Sequence, residues 1–124
     1  MKKSTRSVER SLIAVSYAYD LLHVMEDRGA SSEAIIRDSQ IPSTLLKGHD
    51  ARITAAQFAS LVRACASHGD VAGLGYAFGL NVKLPSHGLL GLAMVNCRTP
   101  REAMQLGERF SPLRSGIVRL RVIE

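Results

Sequence analysis

Cysteine is scarce in this chain: two residues among 124. That excludes a disulfide-stapled scaffold and fits a reducing compartment. Long apolar runs are also missing. The longest stretch without a formal charge, Leu84 to Cys97, holds 14 residues and includes Pro85, His87 and Asn96. A membrane span needs about 20 apolar residues, so no membrane partner is expected. The basic start, Met1 to Arg6, is not followed by the apolar core and small-residue cleavage site of a signal peptide. A cytoplasmic protein is the expectation.

Enzyme signatures are lacking as well. There is no G-x-S-x-G and no H-E-x-x-H. The four histidines stand 26, 19 and 19 residues apart, so no two share a helical turn. Cys65 and His68 are three apart, but His87 and Cys97 do not form the second tight pair that zinc sites use. Gly73, Gly75 and Gly79 do not have the spacing of a phosphate loop, and no strand precedes them. No catalytic residue, metal ligand or cofactor is therefore assigned, and an enzyme is not expected.

What the chain does have is apolar residues at helical spacing. Leu, Val, Ile and Phe together number 34 of 124, enough to build a core and argue against disorder. The net charge of +5 is concentrated at the two ends. Residues 1–10 and 98–124 each carry +3, and residues 11–97 carry −1. A neutral body weakens the inference from a basic total to nucleic-acid binding. Residues 1–6 read as a flexible basic tail.

Val8, Leu12, Val15, Tyr19 and Leu22 recur at steps of three and four, which predicts one amphipathic helix from Ser7 to Asp27. Shorter helices follow. One is capped by Ser32, one opens at Pro42, and one starts at Thr54 and runs to about Ser67. Another follows Asp70, with Gly75 and Gly79, and further on Gly88 and Gly91, expected to permit close helix packing. Then come about Leu89 to Val95 and a last helix opened by the capping box Thr99-Pro100-Arg101-Glu102. Alternation in Ile117 to Ile123 predicts a strand. The fold class is thus mainly α, about five to six helices, ending in a β-strand. A lone strand cannot satisfy its own ladder, so the chain reads as a fragment of an α+β domain.

Residues 32–47 resemble the turn of a helix-turn-helix. The second helix is stopped by Gly48 after about five residues, shorter than a recognition helix requires. A stand-alone DNA-binding module using this segment is the alternative reading, with a small enzyme behind it. Tyr76, Phe78 and His87 stand in the most apolar third of the chain, where such groups can orient a ligand in an apolar cavity. Arg119 and Arg121, on the predicted strand, are candidate anchors for an anionic ligand.

Three segments carry a resemblance: His87-Gly88-Leu89-Leu90-Gly91-Leu92-Ala93, Arg98-Thr99-Pro100-Arg101-Glu102-Ala103-Met104, and Leu106-Gly107-Glu108-Arg109-Phe110. With Gly29, Ile41-Pro42, Arg52-Ile53-Thr54 and Asp70 upstream, they resemble the N-terminal, arabinose-binding-like effector domain of AraC-type transcriptional regulators, over about residues 11–123. The resemblance implies control of transcription in response to a small-molecule effector of unknown class. It further implies a homodimer and DNA contact only through a C-terminal helix-turn-helix domain not contained in this chain. Residues 7–124 are then a truncated effector-binding and dimerisation domain.

Overall fold

The computed structural model describes residues 7–48 and 50–123. The basic tail expected at 1–6 lies outside the described residues. After a helical turn at 7–9, the order is β1 (Leu12–Ala14), α1 (Val15–Asp27), α2 (Ser32–Ser39) and a 3-10 turn (Ser43–Leu46). Next come β2 (Arg52–Thr54), α3 (Ala55–His68), α4 (Leu74–Asn81) and a second 3-10 turn (Leu84–His87). The order closes with α5 (Leu89–Val95), α6 (Pro100–Phe110) and a 3-10 turn (Ser111–Leu113). The chain is mainly helical with a small β part, as its periodicity predicts.

The single helix expected over Ser7–Asp27 is instead broken by β1. Leu12, Ile13 and Ala14 pair antiparallel with Thr54, Ile53 and Arg52, and Ile13 and Ile53 are buried by the pairing. Each strand runs straight into a helix, and the opposite segment satisfies that helix's first amide. Val15 N–H donates to Ala51 O at 3.0 Å and Ala55 N–H to Ser11 O at 2.7 Å. Helix starts leave such amides without intrahelical partners, so the two-strand pairing also serves as a cap for α1 and α3.

Thr54 accepts from Gln57 N–H while the Gln57 side chain accepts from Thr54 N–H, a complete capping box on α3. Thr54→Ala should cost about 1 kcal/mol in urea unfolding; a change under about 0.3 kcal/mol would contradict this role. The box expected at α6 is only half made. Thr99 Oγ1 accepts from Glu102 N–H, but the Glu102 carboxylate accepts from Arg98 N–H at 2.9 Å rather than from Thr99. At α2 the cap is Ser31, not Ser32. Asp70 holds Ala72 N–H at 2.8 Å, and α4 starts later, at Leu74.

The core lies among α1, α2 and α3 and the β pair. Met25, Ile35, Ile53, Leu61, Val15 and Cys65 are its largest fully buried side chains. Among the described residues every buried hydrophobic side chain falls between Ile13 and Leu74. Cys65 is in this core, and burial pushes its thiol pKa up, which keeps it protonated and unreactive. Its sequence neighbour His68 instead pairs Nε2 with Asp38 at 2.5 Å, joining α3 to α2.

The segment resembling a helix-turn-helix forms a packed corner. Its second helix is a four-residue 3-10 turn, and Ile35, Ile41 and Leu46 point into the core. The Tyr19 hydroxyl, from α1, donates to Leu46 O.

The predicted strand 117–123 is not formed among the described residues. Only the segment just before it reaches β1. Ile13 bridges Ser115, Ala14 N–H donates to Arg114 O at 2.9 Å, and Gly116 N–H donates to Leu12 O at 3.0 Å. β1 is three residues long, so its free edge is used up by this bridge and offers no ladder to residues further on.

Of the glycines read as close-packing positions, Gly91 is one, and Gly75 and Gly79 are not. A Cβ on Gly75 or Gly79 would meet nothing within 4 Å, whereas one on Gly91 would lie 1.7 Å from Leu84 O. α5 therefore rests directly on the backbone of the 84–87 turn.

Candidate functional site

A cavity of about 420 Å³ opens between α1, α4, α5 and the chain from Ser111 to Leu120. This is the size of small-molecule pockets. Phe58, Phe78, Val82, Leu90, Met94 and Leu120 supply much of an overwhelmingly apolar wall, to which Ile13, Ile117 and Val118 also contribute. Phe58 and Phe78 meet at a ring distance of 6.4 Å. The polar groups of the wall are Tyr17, His87, Ser111, Arg114 and Ser115.

Three of these, Tyr17, His87 and Arg114, form one cluster. The Tyr17 hydroxyl lies 2.7 Å from His87 Nδ1, with the rings edge to face at 5.6 Å. Arg114 Nη2 donates to Ser16 Oγ at 3.0 Å and to Ser86 O at 3.2 Å, while Ser16 Oγ donates to Ser86 O at 2.7 Å. The guanidinium also sits 6.0 Å from the Tyr17 ring centre. The local architecture explains the convergence. The β1 bridge fixes the Arg114 backbone, α1 begins one residue before Ser16, and the 3-10 turn Leu84–His87 is held down by Gly91. Gly88 (φ +60°) closes that turn, and a Cβ there would come 3.0 Å from Arg114 Nη1. A side chain at 88 would both strain the backbone and push the guanidinium aside.

Burial raises the Tyr17 pKa, opposed by hydrogen bonding and charge from Arg114. Burial, then the Arg114 charge, lowers the His87 pKa, opposed by Asp20. Which of the phenol and Nδ1 donates is set by the tautomer of His87. His87 Nε2 has no hydrogen-bond partner among the described residues. A second cavity, about 540 Å³, lies beside Leu84, Leu89 and Leu92, and Arg114 stands in the walls of both.

The lowered His87 pKa has a definite sign for stability. Above pH about 6.5 the ring is neutral folded or unfolded, and it contributes nothing. As pH falls through that value the unfolded chain takes up the proton first, and stability drops until the folded ring protonates too. The groups facing the ring are Tyr17, Arg114 and Asp20. Melting temperatures at pH 7.5 and 5 should therefore fall further for the wild type than for His87→Gln. An equal fall would refute the assignment.

A family model described as the arabinose-binding domain of AraC transcription regulator, N-terminal, matches residues 29–124. The chain belongs to this family. A search among curated proteins finds no match. The AraC-type match starts after Ile13 and Tyr17, so part of the cavity wall comes from residues upstream of the matched region. Among the described residues no helix of this AraC-type domain is long and apolar enough to cross a membrane.

Of the residues singled out in the sequence, Phe78 and His87 stand together on the cavity wall. Tyr76 is 76% exposed and lies outside the wall. Arg119 and Arg121 are exposed and outside it as well, because residues 117–123 form no strand that would aim them. Arg114 occupies the place considered for them. It and Tyr17 were not marked in advance. Tyr17 read as one more member of a helix, and Arg114 stood in a turn between Pro112 and Gly116 with no periodic signal.

Proposed function

We propose that this AraC-type domain senses a small-molecule effector in the 420 Å³ cavity and passes the signal to a DNA-reading unit outside these 124 residues. The observation that carries the reading is an apolar cavity with a Tyr17–His87–Arg114 cluster in its wall, in a regulator family. Its walls come from both ends of the chain, α1 on one side and residues 111–120 on the other. An occupant that prefers one arrangement of those walls shifts the population toward it. Such work on DNA belongs in the cytoplasm. Residues 7–124 act as one sensing and dimerisation unit, with the apolar stripe Leu89, Leu92 and Val95 on α5 meeting its twin across a two-fold axis.

The test is a thermal-shift screen of the chain against a metabolite panel, run beside Leu90→Trp, which fills the cavity. A sensing domain gives at least one compound that raises the melting temperature of the wild type and not of the filled variant. A panel without such a compound refutes sensing. Sequence-preferring, salt-sensitive gel shifts by this chain alone would instead place DNA reading within it. Sedimentation velocity should show a dimer that Leu92→Arg returns to monomer.

A further inference from the structure

The cavity's own chemistry selects among effectors. Phe58, Phe78, Val82, Leu90, Met94 and Leu120 offer no hydrogen bonds over most of the wall. A pentose carries a hydroxyl or ring oxygen on every carbon, and each one buried without a partner weakens binding by roughly tenfold or more. A hydrocarbon body loses nothing there and gains from leaving water.

The polar end has a definite sign. Arg114 has no carboxylate within 4.0 Å among the described residues; its hydrogen-bond partners, Ser16 Oγ and Ser86 O, are neutral. Arg114 Nε and Ser111 Oγ are buried without hydrogen-bond partners, and both residues belong to the wall. Unspent buried polar atoms of this kind are rare and point to a missing partner. Asp20 is the acid felt by both Tyr17 and His87. It makes no contact within 4.0 Å of the guanidinium, and its own Oδ2 is buried without a hydrogen-bond partner, so the two charges are not joined. His87 lies on the same wall, and its Nε2 is a donor when the Tyr17 hydroxyl gives its proton to Nδ1.

We propose that the effector is an organic acid with an apolar body and one carboxylate, its body in the 58–78–90–94 wall and its head at Arg114 and His87. This rests on the sensing reading above and names the class of molecule sensed. The sugar in the family's description does not suit these walls. A single head follows from Arg114 being the one permanently charged side chain of the wall, and the anionic sign follows from its unpaired guanidinium.

The experiment is calorimetric titration of octanoate, 1-octanol and L-arabinose into the 124-residue chain, with Arg114→Met and Leu90→Trp alongside, each checked by circular dichroism. Octanoate should bind at least about tenfold more tightly than octanol. Arg114→Met should erase that preference while leaving octanol within about twofold; a merely structural Arg114 would weaken both ligands together. Should Arg114→Met not fold, Arg114→Lys keeps the charge, loses the fork, and should lower the preference severalfold. Leu90→Trp should abolish binding of both. Equal binding of octanoate and octanol, tighter binding of arabinose, octanoate binding that survives Leu90→Trp, or no binding of octanoate would each overturn the proposal. None of these results touches the metabolite screen, which judges sensing separately.

Discussion

Gly91→Ala should destabilise the protein by about 3 kcal/mol or more, and Gly79→Ala should stabilise it by up to about 1 kcal/mol. Both glycines sit inside helices, α5 and α4, where alanine is the better helix former. At Gly79 the added methyl group meets nothing within 4 Å, so only the propensity gain remains. At Gly91 it would lie 1.7 Å from Leu84 O and 2.6 Å from Leu84 C. These are backbone atoms and cannot rotate away, so α5 or the 84–87 turn must move. That movement would also carry His87 from Tyr17 and Ser86 from Arg114. Gly91→Ala should therefore lose octanoate binding even where enough folded protein survives to measure it. Urea unfolding of the two variants decides the matter. Equal stabilities would mean that the close approach of α5 does not constrain the fold.

Leu61→Ala should cost about 2–5 kcal/mol, and Leu92→Ala should stay within about 0.5 kcal/mol in the monomer. The two leucines are equally apolar and both lie in helices. Leu61 is fully buried beside Met25, Ile35 and Cys65 in the core, and its loss leaves a cavity that the packed helices cannot close. Leu92 is 61% exposed on α5. The contrast tests a general feature of this fold, that the packed core ends at Leu74 while the apolar sequence continues well past it. Denaturant midpoints give both values. A small loss at Leu61 would mean that the core is loosely packed. The proposed dimer covers Leu92, so its value is read at a dilution where the monomer prevails; a large loss there would mean that α5 is packed within the monomer.

The helices were legible where local signals agreed. Thr54 before Gln57, Thr99 before Pro100, and apolar residues at steps of three and four locate α3, α6 and most of α1, because caps and periodicity act over a few residues. β1 was not legible. Leu12, Ile13 and Ala14 fit the same period as α1, and only Arg52–Thr54, some 40 residues away, turns them into a strand. The opposite error occurred at 117–123. Its alternation is real, but a strand needs a neighbour with free backbone groups, and the edge of β1 is already engaged by Arg114–Gly116.

The candidate site divides the same way. Phe78 and His87 were legible as aromatic and polar groups in an apolar third of the chain. Arg114 and Tyr17 were not, since 97 positions separate them in sequence and nothing local to either marks the meeting. Arg119 and Arg121 had the right charge for an acid but depended on a strand that does not form.

By itself the sequence determined a mainly helical chain, the caps Thr54 and Thr99, and the family to which the chain belongs. These follow from spacing, composition and motif, which need no knowledge of distant neighbours. Tertiary structure alone decided which apolar residues are buried, which glycine bears a contact, and which arginine faces the cavity. Each of those depends on atoms brought together from opposite ends of the chain, and chain folding, not residue type, sets which groups meet.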